Sequence, residues 1–226
     1  MHIQDLGILD YQTAWAIQEA AHKEVLSGGD ERIILVEHPA VITYGRRPGV
    51  DNNLLASQEL LKAMNVQIVQ SDRGGDITFH GPGQLVVYPI IRLADHQLTV
   101  SGYVHLLEDI IIGALNQFGV PADTDPSAVG VWTPGRSCGS AKVCAIGVRI
   151  RRGVTLHGLA LNVTTDLSYF NLIVPCGLHA RPVTSLLQLL GDNAPSMQQV
   201  KSVLIKTLLE RLNNPLPNPQ PAGHNG

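Results

Sequence analysis

A disulfide framework is missing from this sequence: its three cysteines are an odd number and too few for a chain of 226 residues. An excess of basic charge is missing as well. The formal net charge of −3 argues against wholesale nucleic-acid binding, which takes a basic domain able to displace counterions from phosphate. No apolar run approaches the ~20 residues needed to cross a bilayer. The opening Met1-His2-Ile3-Gln4-Asp5-Leu6 has neither the cationic segment nor the apolar stretch of a secretory signal. Internal repeats, coiled-coil heptads, HExxH and CxxC pairs are absent, and the nine histidines form no ligand cluster, so no metal site is expected. These absences lead to the expectation of a cytoplasmic protein with no membrane or nucleic-acid partner, whose thiols stay reduced and chemically available.

What is present suits one compact domain. With 44% apolar and 15% charged residues the chain can bury a substantial core, and its length predicts one domain over residues 1–212. Residues 213–226 hold four prolines and no apolar rhythm, which predicts a disordered tail. Helical spacing of Trp15, Ile17, Ala20, Ala21 and Val25 predicts a helix from Asp10 to Ser27, stopped by Gly28-Gly29. Arg32–Glu37 reads as a strand, with Val41–Tyr44 continuing or pairing with it. A short helix capped by Ser57 and a strand from Val66 to Gln70 follow. Further strands are expected over Gln84–Ile91, Lys142–Arg149 and Thr155–Val163, the last two as a hairpin, and helices over Ser101–Phe118, Thr184–Leu190 and about Pro195–Leu212. Strands in runs with hairpin-length links indicate an α+β fold and not a doubly wound parallel sheet.

Between two of these strands lies Arg73-Gly-Gly-Asp-Ile-Thr-Phe-His-Gly-Pro-Gly-Gln84. A plain hairpin turn takes two to five residues and this stretch spends about eleven, so it reads as a binding loop. Its glycines let the backbone approach a ligand closely. No Gly-Lys-Ser/Thr follows, which excludes a Walker loop, and a strand instead of a helix comes next, which argues against a Rossmann turn. His80 is the better ligand-contacting histidine. His157 reads equally as a core histidine, with strand alternation placing it on the face of Leu159. Cys176, in Val174-Pro-Cys-Gly177, sits on a turn where a thiolate reaches a substrate, although buried small hydrophobe is the usual fate of a free cysteine. Cys144 lies in an apolar strand and reads as core; Cys138 lies in a Gly/Ser-rich loop with no evident partner. Lys142 opens an apolar strand and gains a chemical role only where the fold brings it near Cys176: an ammonium favours the thiolate, and burial makes the lysine a usable base.

Taken in order, Arg73-Gly-Gly…Thr78…His80-Gly-Pro-Gly-Gln84 with Tyr88-Pro89, Lys142…Ala145-Ile-Gly-Val-Arg149, His157-Gly-Leu-Ala-Leu-Asn162 and Pro175-Cys-Gly177 followed by Thr184-Ser-Leu186 resemble the lipoyl(octanoyl)transferase family, also called lipoate–protein ligase B. The pieces span about half the chain. Cys144 stands where the family usually has a small apolar residue, and the Thr133–Ala141 loop looks longer than usual. The resemblance implies a mixed, largely antiparallel sheet flanked by helices, as in the catalytic domains of biotin and lipoate protein ligases. It implies transfer of octanoyl from acyl carrier protein to a lysine of lipoyl domains, those of 2-oxoacid dehydrogenase E2 subunits and the glycine cleavage H protein, by a monomer without cofactor. By the same resemblance Cys176 is the acyl-accepting nucleophile and Lys142 its acid/base. Arg73, Gly74, Gly75, Asp76, Ile77, Thr78, Phe79 and His80, together with Ala145, Ile146, Gly147, Gly158, Leu159 and Ala160, line the substrate site. Thioester exchange followed by amide formation runs downhill without ATP, in keeping with the lack of a nucleotide loop. Arg46, Arg47, Arg149, Arg151 and Arg152 are the basic residues available to steer an acidic carrier. Three other readings stay open: an ATP-dependent ligase of the same fold, a cysteine hydrolase pairing Cys176 with His157 or His179, and a non-catalytic carrier-binding module.

Overall fold

The computed structural model of the chain describes residues 1–134, 139–174 and 181–213. Cys138, Cys176, His179 and the prolines expected to form a tail lie outside them.

Strand β1 (His2–Ile8) leads into helix α1 (Tyr11–Leu26), which Asp10 caps by accepting from the Thr13 amide. The cap satisfies one of the N–H groups that a helix start leaves open. Tyr11, Ala14, Gln18, Ala21 and Val25 recur at helical spacing and form the buried face of α1. That face lies on a seven-stranded sheet. β1 runs parallel to β2 (Arg32–Glu37); then, all antiparallel, follow β6 (Gln84–Ile90), β10 (Val154–Asn162), β9 (Ser140–Arg151), β8 (Val131–Pro134) and β7 (Asp123–Thr124). Ile33, Leu35, Leu85 and Val87 pack on one face against α3 (Val100–Gln117) and α5 (Met197–Asn213). Ile34, Val36, Val86 and Tyr88 pack on the other against α1. Both faces of the central strands are covered, which is why they read as unbroken apolar runs.

A second sheet of three strands places β3 (Val41–Tyr44) between β4 (Gln67–Gln70), to which it is parallel, and β5 (Thr78–His80), to which it is antiparallel. Helix α2 (Gln58–Ala63) carries the expected Ser57 cap, and α4 (Leu186–Leu190) is capped by Ser185. The β9–β10 hairpin turns on Arg152 and Gly153, both left-handed (φ 52° and 80°), which suits the right-handed twist of the flanking strands.

The architecture is the α+β one expected, with four local differences. β3 does not join β2 but founds the small sheet. The stretch from Arg73 to Gly83 is not a single loop, because Thr78–His80 within it pairs with β3. β1, β7 and β8 were not foreseen. His157 does not share the face of Leu159: its backbone is left-handed (φ 57°), and its ring packs on the α1 side, 5.7 Å from the Trp15 ring and 6.3 Å from that of Tyr88.

Far from these strands' ligand-facing residues, His96 ties the end of α5 to the sheet. Its Nε2 lies 2.9 Å from the Glu31 carboxylate and its Nδ1 3.3 Å from the Leu212 carbonyl. Both partners only accept, so the ring donates twice, as an imidazolium. The hydrogen bond to Glu31 raises the His96 pKa; burial alone would raise Glu31, but His96 and the Arg92 amide hold its carboxyl below the ordinary range. The raised histidine contributes stability that is full below its unfolded pKa near 6.5 and lost as pH rises through its folded value. The lowered carboxyl contributes above its unfolded value near 4.5 and loses this as pH falls through its folded pKa. The stabilising margin of wild type over His96→Gln is therefore expected to be on the order of 1–2 kcal/mol near pH 6 and to shrink toward pH 9, read as the difference between their thermal midpoints. A margin constant across that range would show that the imidazolium form is not what holds this contact.

Candidate active site

A cleft runs between the two sheets on the α1 side of β9 and β10. Counting the open solvent at its mouth, it spans about 520 Å³. Its walls are contributed by Ile77, Val86, Ala145, Ile146, Leu159 and Ala160, with Gly147 and Gly158 paired side by side on β9 and β10. The glycines keep the walls close. A Cβ on Gly158 would stand 2.2 Å from the Val87 carbonyl oxygen, and one on Gly147 would stand 3.0 Å from that of Gly74.

Tyr11, His80 and Tyr88 of the lining, with His38 buried behind them, form a polar yet uncharged region. His38 donates from Nδ1 to the Leu9 carbonyl and accepts at Nε2 from the Tyr88 hydroxyl, both at 2.8 Å. Burial drives its pKa down to about 4. His80 donates from Nδ1 to Gln84 Oε1 at 2.7 Å, and burial likewise holds its pKa well below the ordinary value. Burial pushes the Tyr88 and Tyr11 phenols the other way, and the Tyr11 hydroxyl meets Ser71 Oγ at 2.9 Å. Each group stays neutral because the hydration lost by its charged form outweighs what nearby charges return, Arg73 to the two phenols and Asp10 to His38. Beside them the Arg73 guanidinium is tied to Thr43 through its carbonyl (2.7 Å) and hydroxyl (3.0 and 3.2 Å). Thr43 in turn reaches His80 Nε2 at 3.4 Å, and Gln84 Nε2 donates to Asn162 Oδ1 at 2.9 Å.

Asn162 carries this chain of bonds to the Thr184 carbonyl at 3.0 Å, and Thr184 donates its amide to the Lys142 carbonyl. The Lys142 amide donates to the Pro182 carbonyl, so Pro182, Val183 and Thr184 run alongside the lysine. Lys142 is buried and lines the cleft; its Nζ donates to the Val129 carbonyl at 2.9 Å and stands 4.8 Å from the centre of the Trp132 ring. Arg181 stacks on the same ring at 3.8 Å and pairs with Asp125.

Of the residues expected in the site, Arg73, Gly75, Asp76, Ile77, Thr78, His80, Lys142, Ala145, Ile146, Gly147, Gly158, Leu159 and Ala160 meet at this cleft. Gly74 is engaged through its amide by the Val148 carbonyl, and Phe79 stacks on Tyr169 at 4.8 Å within a separate apolar cluster; neither faces the cleft. Cys176 lies outside the described residues. Tyr11, Val86, Tyr88 and His157 line the cleft without having been expected there. Tyr88 carried a signal, a hydroxyl in a strand otherwise apolar beyond Gln84; Tyr11 carried one only as the first residue after a cap. Cys144 is core, its thiol pushed by burial up to about 12. Among the described residues no three His, Cys, Asp or Glu side chains gather as metal ligands would, and no helix is long and apolar enough to cross a membrane.

The arrangement defines a class first. A bi-partite lipoate protein ligase from Thermoplasma acidophilum superposes with a TM-score of 0.74 at 15% identity, covering 94% of this chain and 83% of that one. Biotin protein ligase from Aquifex aeolicus follows at 0.55 and 12% identity, covering 94% and 70%. The fold is thus that of lipoate and biotin protein ligase catalytic domains. Within that class, the chain belongs to the lipoyl protein ligase A/B catalytic domain family, whose model matches residues 10–209. An octanoyltransferase of Nitratidesulfovibrio vulgaris is 44% identical over 211 residues, 93% of this chain and 94% of that one. The protein is an acyltransferase.

Proposed function

We propose that the protein moves an octanoyl group from acyl carrier protein to a lysine of lipoyl domains through a thioester on Cys176, with Lys142 as acid and base. The observation that carries this reading is the buried lysine lining an apolar cleft, hydrogen-bonded through its backbone to Pro182 and Thr184, six and eight residues beyond Cys176. In the first step the Cys176 sulfur attacks the carrier thioester. A new C–S bond forms, the carrier's C–S bond breaks, and Lys142 supplies the proton to the departing thiol. In the second, the acceptor amine attacks, a C–N bond forms, the Cys176 thiolate leaves, and neutral Lys142 takes the amine's proton. The base is needed because a free lysine has a pKa of about 10.4 and attacks only when neutral. The carrier is acidic, and Arg46, Arg149 and Arg151 gather around Asp72 at the rim formed by the Arg73 loop, which suits electrostatic steering.

Intact-mass measurement after incubation with octanoyl carrier protein tests this. Wild type is expected to gain one octanoyl mass that neutral hydroxylamine removes, and Cys176→Ala to gain none. An adduct on both proteins overturns the nucleophile. Transfer to a lipoyl domain from free octanoate and ATP, with none from the carrier, turns the reading into that of a ligase.

A further inference from the structure

We propose that Glu108, on α3 and outside every motif that marks the site, is a positioning residue for Lys142. The inference rests on Lys142 being the acid/base. The peptide unit joining Val129 to Gly130 links the two. A trans peptide is planar, with its carbonyl and amide pointing in opposite directions, and no cis bond occurs among the described residues. Here the Gly130 amide donates to Glu108 Oε1 at 3.0 Å, while the Val129 carbonyl of the same plane accepts from Lys142 Nζ at 2.9 Å. A carboxylate holds one edge of the plane and an ammonium the other. The negative charge at the N–H also polarises the carbonyl, making it a better acceptor for the lysine.

The plane needs an external anchor. Gly130 adopts φ 126°, where glycine is permissive and other residues are strained, and a Cβ there would stand 2.6 Å from the Cys144 carbonyl and 3.3 Å from Lys142 Cε. Glycine supplies the close fit but no rigidity. On its other side the loop is tied by Trp132 Nε1 donating to the Ala128 carbonyl at 3.0 Å. Stability alone does not call for the carboxylate. Glu108 is buried on a helix whose neighbours Leu107, Ile110 and Ile111 are core, a place where an apolar side chain commonly serves the fold as well. Among the described residues, the charged and titratable groups near Lys142 include Glu108 itself, joined at Oε2 by the half-exposed His105 at 3.2 Å, the Cys144 thiol on β9, and Arg181 with its partner Asp125.

Competitive labelling with acetic anhydride across pH, read by mass spectrometry at Lys142, reports the lysine's titration whether or not the enzyme turns over. In Glu108→Gln an acceptor for the Gly130 amide remains but the charge does not. The Lys142 midpoint is expected to fall by about 0.5–1 unit, and the acid limb of the kcat profile to move down with it, since the carboxylate favours the ammonium. In Glu108→Leu the anchor goes too, and kcat is expected to drop roughly ten- to a hundredfold with KM for the carrier within about twofold. A folded Glu108→Gln with the wild-type midpoint and pH profile overturns the proposal, even where the leucine variant does not fold. A wild type that labels normally but never transfers octanoyl from the carrier instead removes the functional reading, leaving the effect of Glu108 on Lys142 measurable.

Discussion

Lys142→Arg is expected to accept an acyl group from the carrier, more slowly because arginine gives up no proton to the departing thiol, yet to fail to pass it on, so that intact-mass spectra show a persistent octanoyl adduct. Arginine keeps the positive charge that favours a nearby thiolate, but its pKa above 12 leaves no neutral form to take a proton from the acceptor amine. Steady-state kcat is then expected to fall by two to four orders of magnitude, the usual contribution of a positioned general base. Lys142→Met separates charge from basicity by losing both: acylation of Cys176 slows as well, and no adduct accumulates. Neither change should unfold the protein. The bonds from Lys142 to Pro182 and Thr184 are made by its backbone and survive any side chain but proline's, while methionine has the length to lie along Trp132. In the methionine variant the lost hydrogen bond to the Val129 carbonyl alone costs about 1–2 kcal/mol. An arginine variant turning over within tenfold of wild type would exclude the lysine as the base.

Legibility of this fold in its sequence followed the range of the interactions involved. The span of α1, the Ser57 cap, the continuous apolar runs of β2 and β6 and the Arg152-Gly153 turn are set by neighbours in the chain, and each was readable there. β1 was not: most of its residues face solvent, and it is a strand only because β2 offers it a parallel edge. β5 hid inside a glycine-rich stretch because its pairing partner, β3, lies more than thirty residues earlier. Among site residues, Lys142 and the residues of β9 and β10 were legible through motif resemblance, and strand pairing then set Ala145 to Gly147 against Gly158 to Ala160. Tyr11, Tyr88 and His157 were missed because each sits in a segment whose pattern already explains it as core. For His157 alternation itself misled, since a left-handed backbone turns the ring to the opposite face. Glu108 gave no local sign at all; its meaning lies in a peptide plane twenty-two residues away.

Gly158→Ala is expected to be the most damaging single-methyl change in the cleft. Gly158 lies in the middle of β10, paired with Gly147 of β9 on one side and next to Leu159, which faces Val87 of β6 on the other. Ladder hydrogen bonds hold both neighbours about 4.8 Å away, so β10 cannot retreat from one without closing on the other. The added carbon would meet the Val87 carbonyl oxygen at 2.2 Å and Pro89 Cδ at 2.9 Å, one a backbone atom in a buried strand and the other part of a rigid ring. Relief requires a shift of the backbone itself, and overpacking of this kind costs roughly 1–3 kcal/mol or more. The thermal midpoint should therefore fall by roughly 2–12 °C for a chain of this size. Gly147→Ala provides the internal comparison: its carbon would meet the Gly74 carbonyl at 3.0 Å and the bendable Arg73 side chain at 3.3 Å. It should cost less than half as much in stability. Because Gly147 and Arg73 both line the cleft, its effect should appear instead as a raised KM for the octanoyl donor. Equal losses of stability in the two variants would mean that the approach of β10 to β6 is looser than the 2.2 Å contact requires, and that the narrowness of the cleft is set elsewhere.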